Sequence, residues 1–201
     1  MPARRTPRGE ERRERILRAA LLVIGERGVA GATHRSVAAQ AGVPTATTTY
    51  YFATLDELLE DALRLFVGEE IAALREATDE LLSGGGSSPA EVADLVESVL
   101  VRSEHDRMLV AVAQFDLYVE AARRPALREV ASECIAAYES FAAAALEAIG
   151  IPEPERLAPI FVALADGLGL QRVARGEDDP RQVPLRDALV RLLGAATAVR
   201  G

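Results

Sequence analysis

Lysine and tryptophan are absent, cysteine occurs once, histidine twice, and aromatic residues make up only 4% of the 201 residues. A single thiol, Cys134, cannot close an internal disulfide and has no second thiol with which to hold zinc or run a redox cycle, so its expected place is a small buried core position. His34 and His105 belong to no metal-ligand spacing and no catalytic triad pattern, so no catalytic residue, metal ligand or cofactor is assigned. No apolar run reaches the roughly 18 residues of a membrane span, and the basic N-terminus leads into an amphipathic pattern instead of an apolar signal core. The expectation is a cytoplasmic chain with no membrane partner. Arginine as the only strong base is read as a coding bias without mechanistic content.

What is present is charge asymmetry. The formal charge of -8 divides into nine Arg against four Glu over residues 1–52 and 14 Arg against 27 Asp and Glu over residues 53–201. A basic N-terminal quarter on an acidic body suits a protein of which one part meets a polyanion and the rest does not. The expected division is therefore an N-terminal arm and DNA-binding domain, 1–52, and a second domain, 53–201.

Apolar residues recur at helical spacing nearly throughout, and alternating β-branched runs are missing, so the chain reads as all-α. A basic arm with Arg4, Arg5 and Arg8 precedes a helix from about Gly9 to Arg27, with Ile16, Leu17, Ala20, Leu21 and Ile24 on one face and Gly28 as its stop. A short helix follows the N-cap Thr33 and ends at Gly42; a third runs from near Pro44 to Tyr51. Thr54 and Glu57 form a capping box ahead of a long helix to about Leu82, and the run Gly84, Gly85, Gly86, Ser87, Ser88 reads as a flexible break. Five further helices are expected at about 90–102, 105–123, 126–149, 155–175 and 184–199, separated by the Gly and Pro punctuation around 125, 150–154 and 176–184.

Two short helices joined by a Gly turn and preceded by a longer amphipathic helix describe a helix-turn-helix unit. Its second short helix is the one that enters the major groove, presenting Thr45, Ala46, Thr47 and Thr49: hydroxyls bond bases or phosphates, and methyls pack on thymine. Four Thr are poor helix formers, so packing on Val37, Val43 and Phe52 is expected to hold this helix.

The stretch GATHRSVAAQAGVPTATTTYYFATLDELL, residues 31–59, together with Ile16, Leu17, Ala19, Ala20 and Gly28, resembles the TetR family DNA-binding signature. ADGLGLQRVARG, residues 165–176, resembles that family's eighth helix. The resemblance implies an all-α homodimer of about nine helices, three for DNA and the rest for a helical ligand-binding and dimerisation bundle. It places Thr33 at a phosphate, Arg35 at a base, Thr45 to Thr49 along the recognition helix, and Tyr50 and Tyr51 at its end. Thr49 stands where a phosphate-binding Tyr is common, Tyr51 where a His is, Leu55 where a Lys is, and Thr48 where a core Leu is.

Each reading has a plainer rival: Arg35 as a solvated helix charge, Tyr50 as a core aromatic, His34 as a solvated histidine and the N-terminal arginines as a solvated face. The cluster His105, Asp106, Arg107 at a helix start is read as capping and solvent charge. Gln114, Phe115, Tyr118, Tyr138, Phe141, Phe161 and Asp166 are the candidate ligand contacts, with ordinary core as the alternative. Apolar stripes at Leu157, Ile160, Phe161, Leu164 and Leu168, and at Leu185, Ala188, Leu189, Leu192 and Leu193, serve either monomer packing or a dimer of helices.

The expected function is sequence-specific binding of double-stranded DNA at a palindromic operator, by a homodimeric repressor released by a small-molecule effector. The alternatives are a ligand-independent DNA-binding protein or activator and, remotely, a helical-bundle enzyme using Asp166 or Cys134.

Overall fold

The computed structural model describes the backbone of residues 7–83, 88–100, 104–176, 179, 181 and 183–198, with side chains except at 100, 104–110 and 196–198. Arg4 and Arg5 of the arm, most of the glycine break and the side chains of His105, Asp106 and Arg107 lie outside the described residues. Among the described residues nine helices run in order: α1 Pro7–Gly31, α2 His34–Ala41, α3 Thr45–Tyr51, α4 Leu55–Ser83, α5 Pro89–Leu100, α6 Glu104–Arg123, α7 Ala126–Ala148, α8 Pro154–Arg175 and α9 Leu185–Ala198. No strand occurs among the described residues.

The chain packs as two units, one of residues 1–68 and 112–131, the other of 69–111 and 132–201. In the first, α1 buries Ile16, Leu17, Ala20, Val23 and Ile24. Gly28 interrupts the helix where its position suggests a stop. It adopts φ 69, ψ 169, and helical geometry resumes through Gly31. That backbone region is essentially restricted to glycine. The break removes the Val29 N–H from the helical ladder, and it donates instead to Asp116 Oδ2 of α6 at 3.0 Å, 87 residues away. A Cβ on Gly28 would meet Asp116 Oδ2 at an ordinary 3.5 Å, so space is not the constraint. Gly28→Ala is expected to lower unfolding free energy by about 1–3 kcal/mol through backbone strain alone; a urea midpoint equal to that of the parent would contradict this.

α4 opens as the capping pattern anticipates, with Thr54 Oγ1 accepting from Glu57 N at 3.1 Å. The reciprocal bond closes one residue earlier than a regular box, Ala53 N donating to Glu57 Oε2 at 2.8 Å. Leu58, Leu59, Ala62 and Leu63 are buried in this unit. Its start is tied to α1 by the ion pair of Arg13 with Asp61, and to the end of α6 by that of Arg124 with Asp56.

In the second unit, α5 begins at a box in which Ser88 N donates to Glu91 Oε2 at 2.7 Å and Ser88 Oγ accepts from Glu91 N at 3.2 Å. Ser88's backbone bond, then its side-chain bond, hold the Glu91 carboxyl below its ordinary pKa. α5 packs with α9, whose Ala188, Leu189 and Leu193 are covered within the monomer. Cys134 is fully buried on α7, the core position its isolation suggested.

Candidate nucleic-acid interface

The helix-turn-helix is built by local chemistry at three points. Thr33, with φ -139, caps α2: its Oγ1 accepts from Ser36 N at 3.0 Å while Thr33 N donates to Ser36 Oγ at 2.8 Å. Serine thus fills the place Glu or Gln usually takes in a capping box. At the other end Gly42 is left-handed, φ 64, with Gly42 N donating to Ala39 O at 3.2 Å and Val43 N to Ala38 O at 3.0 Å. This is the paired closure that glycine permits at a helix C-terminus. Pro44 then precedes α3, whose first turn is closed by Thr47 N to Pro44 O at 2.8 Å.

α3 has two faces. Thr45, Ala46, Thr49 and Tyr50 are exposed, Thr47 and Tyr51 half-buried, and Thr48 buried. Tyr50 is 81% exposed and sets its ring edge-on to Tyr51 at 5.2 Å, which settles the alternative of a core aromatic against it. The Thr49 hydroxyl donates back to Ala46 O at 3.1 Å, leaving its oxygen free to accept from an incoming donor. Two of the expected anchors, Val37 and Phe52, are fully buried, and Val43 is half-buried. Phe52 N closes α3 on Thr48 O at 2.9 Å, and the Arg13 guanidinium lies 5.1 Å from the Phe52 ring centroid.

The sequence did not disclose how Thr48 is satisfied. Its hydroxyl donates to Thr45 O at 2.8 Å, and His34 Nδ1 lies 3.1 Å away across the α2–α3 interface. His34 is therefore half-buried and bonded, not merely solvated. Thr48 was notable as a threonine in a leucine position, but its partner sits 14 residues away on another helix, beyond any local pattern.

Arg35 and Thr33 are exposed at the start of α2, and among the described residues Arg35 has no acidic partner, whereas Arg18 is held by Glu14 at 2.9 Å and Arg13 by Asp61. Arg8, the described member of the arm, is exposed on α1. A row of hydroxyls, one outward phenol and an unengaged guanidinium beside a helix start can donate to phosphates and base edges.

The candidate ligand residues fall in two places. On α6, in the first unit, Gln114 Nε2 donates to Tyr118 Oη at 3.0 Å and the Phe115 and Tyr118 rings meet edge-on at 6.5 Å. In the second unit Tyr138 donates to Glu70 Oε2 at 2.9 Å, both side chains being buried, with Phe141 buried one turn further on. Phe161 and Asp166 are half-buried on α8. Glu70 was not anticipated; a carboxylate within an otherwise apolar helix stripe carries no spacing signal. A shallow groove of about 240 Å³ between α4 and α5, lined by Ala73, Glu76, Ala77, Glu80, Leu95, Ser98 and Val99, includes none of the expected ligand residues. No cluster of three or more metal-ligating side chains occurs among the described residues.

A cap, a Schellman turn and a two-faced recognition helix define this region as a helix-turn-helix DNA-binding module. Residues 16–62 match the family described as bacterial regulatory proteins, tetR family, and residues 87–195 match the tetracyclin repressor-like C-terminal domain. A transcriptional regulator from Rhodococcus sp. Rha1 shares the fold with TM-score 0.75 at 30% identity, covering 93% of this chain and 96% of that one. The multidrug binding protein EbrR complexed with ethidium does so with TM-score 0.67 at 33% identity, covering 92% and 98%. The HTH-type transcriptional regulator BetI of Paraburkholderia xenovorans (strain LB400) is 28% identical over 180 residues, 89% of this chain and 90% of its own. The chain belongs to the TetR family of DNA-binding transcriptional regulators. Its chemistry is recognition, not catalysis.

Proposed function

We propose that the chain is a homodimeric, cytoplasmic repressor that occupies a palindromic operator and leaves it when a small molecule enters its body. The observation that carries the DNA half of this reading is the exposed face of α3, Thr45, Ala46, Thr49 and Tyr50, with Thr47 and Tyr51 at its flanks and Thr33 and Arg35 beside it. Hydroxyls and the Thr49 and Ala46 methyls read base edges, Thr33 and the tyrosines grip the backbone, and Arg35 reaches a base or a phosphate.

Dimerisation is proposed through α8, where Ile160, Leu164 and Leu170 are 56%, 44% and 52% exposed in the monomer. Exposed apolar side chains of this kind, Ile160 and Leu164 one turn apart, favour a partner, and a two-fold partner spaces two recognition helices for half-sites about 34 Å apart. By length and composition alone this helix is also long and apolar enough to cross a membrane; exposed apolar side chains that meet a second copy account for the same property.

Effector contacts are proposed from Gln114, Phe115 and Tyr118 on α6, Tyr138 and Phe141 on α7, and Phe161 and Asp166 on α8. EbrR is a multidrug binding protein with a complex of ethidium, which supports a body that accepts small molecules. α4 contributes residues to both packing units and is the proposed lever.

Selection from a randomised duplex pool tests the reading. An enriched palindrome, bound less well after Thr47→Ala and released by a small molecule from a screen that starts with ethidium, is the expected result. An operator affinity unchanged by every molecule shown to bind would overturn the release mechanism and leave a ligand-independent regulator.

A further inference from the structure

The pair formed by His34 and Thr48 has a direction. Thr48 Oγ1 carries one hydrogen and has two backbone oxygens near it, Thr45 O at 2.8 Å and His34 O at 3.4 Å. Carbonyls only accept, so the hydroxyl hydrogen is committed to them, and the shorter contact takes it. The imidazole nitrogen at 3.1 Å must then be the donor, Nδ1–H to Thr48 Oγ1. This bond anchors one side of the ring in the α2–α3 interface, against a hydroxyl with no exposure at all. It leaves Nε2 as the other functional atom of a half-buried residue that stands between exposed Thr33 and exposed Arg35.

A neutral ring has one N–H, already given to Thr48, and offers a lone pair at Nε2. Only the imidazolium donates from both nitrogens at once. A phosphate oxygen accepts hydrogen bonds and cannot share a lone pair, so contact with it requires proton uptake at Nε2. The bond to Thr48 is compatible with both forms and obstructs neither. Beside His34 on α2 stands Arg35; of the two elements that pack on α2, α3 carries Tyr50 and Tyr51, and α1 carries Glu26 and Arg27 ahead of its break. Among the described residues none of them hydrogen-bonds the imidazole.

We propose that His34 is a proton-linked phosphate contact, oriented by Thr48 as a positioning residue, so that each protomer takes up a proton at Nε2 when it binds its half-site. The proposal rests on the DNA-binding reading above. In this arrangement the threonine in the leucine position is the acceptor that fixes the Nδ1 side of the imidazole.

The full-length protein and the labelled duplex recovered from the pool supply the test, with affinity measured near pH 6 and near pH 8, on either side of the ordinary histidine pKa of about 6.5. Binding is expected to be at least about tenfold tighter at the lower pH, the size of a charge-assisted bond gained. The salt slope should steepen by about 0.9 for each added phosphate contact. His34→Asn keeps a donor for Thr48 and removes the titrating ring, so it should bind like the parent near pH 8 and lose the enhancement. Thr48→Val removes the acceptor at nearly constant volume and should reduce the enhancement, with its thermal midpoint reporting the structural cost separately. His105→Asn, the other histidine, should keep it.

A flat pH profile in the parent overturns the proposal. So does an enhancement that survives His34→Asn, while one undiminished in Thr48→Val removes the role of Thr48. A pool that yields no palindrome counts against the regulatory reading itself and takes this inference with it; a recovered palindrome bound equally at both pH values defeats the histidine alone.

Discussion

Phe52→Ala should lower the unfolding free energy by about 3–5 kcal/mol, the range for deleting a fully buried aromatic ring. Phe52 has no exposure, lies against Arg13, and through its backbone N–H closes α3 on Thr48 O. Truncation opens a cavity beneath the recognition helix, and α3 has only seven residues, four of them threonine, with which to stay helical by itself. Operator binding should therefore fall with stability. Phe52→Leu, which retains much of the volume, should recover most of both. Urea unfolding followed by circular dichroism measures the first effect; a truncated protein with the midpoint of the parent would show that α3 is held by something other than this ring.

Arg35→Ala should weaken operator binding by about 1–3 kcal/mol per half-site, roughly 5- to 150-fold, without changing thermal stability. The side chain is exposed and among the described residues has no acidic partner, so its removal breaks no internal contact. The salt dependence then assigns the contact. Loss of a phosphate contact weakens all sequences alike and reduces the slope by about 1 per half-site, whereas loss of a base contact relaxes preference at one position. Undiminished affinity in Arg35→Ala would return this residue to the status of a solvated charge.

The two substitutions separate the parts of the molecule that the sequence discloses from those it conceals. The helical boundaries were legible because their signals are local. Thr33 ahead of α2, Gly42 after it, Pro44 before α3 and the Thr54–Glu57 box before α4 each act within a few residues, through caps and left-handed turns. Gly28 was legible as a stop because that signal is local too; that the freed Val29 N–H is taken up by Asp116, far along the sequence, was not.

The candidate DNA face was legible in composition and order, but not in its exposure. Periodicity could not tell whether Tyr50 faced the core or the solvent; in a helix of barely two turns the packing of Thr48 and Phe52 decided it. The ligand candidates were the least legible, since polar groups in a helical bundle have no required spacing. Glu70, which receives the Tyr138 hydroxyl 68 residues away, is an example.

Local chemistry in the sequence thus determined the all-α character, the order of the helices, the basic N-terminal quarter and the family. Tertiary structure decided which face of α3 is outward, that residues 112–131 pack with the helix-turn-helix, and that His34 is bonded to Thr48. The physical reason is range: caps, turns and helical periodicity act within about one helical turn of the chain, whereas burial and side-chain pairing are settled by whichever distant segment arrives to cover them.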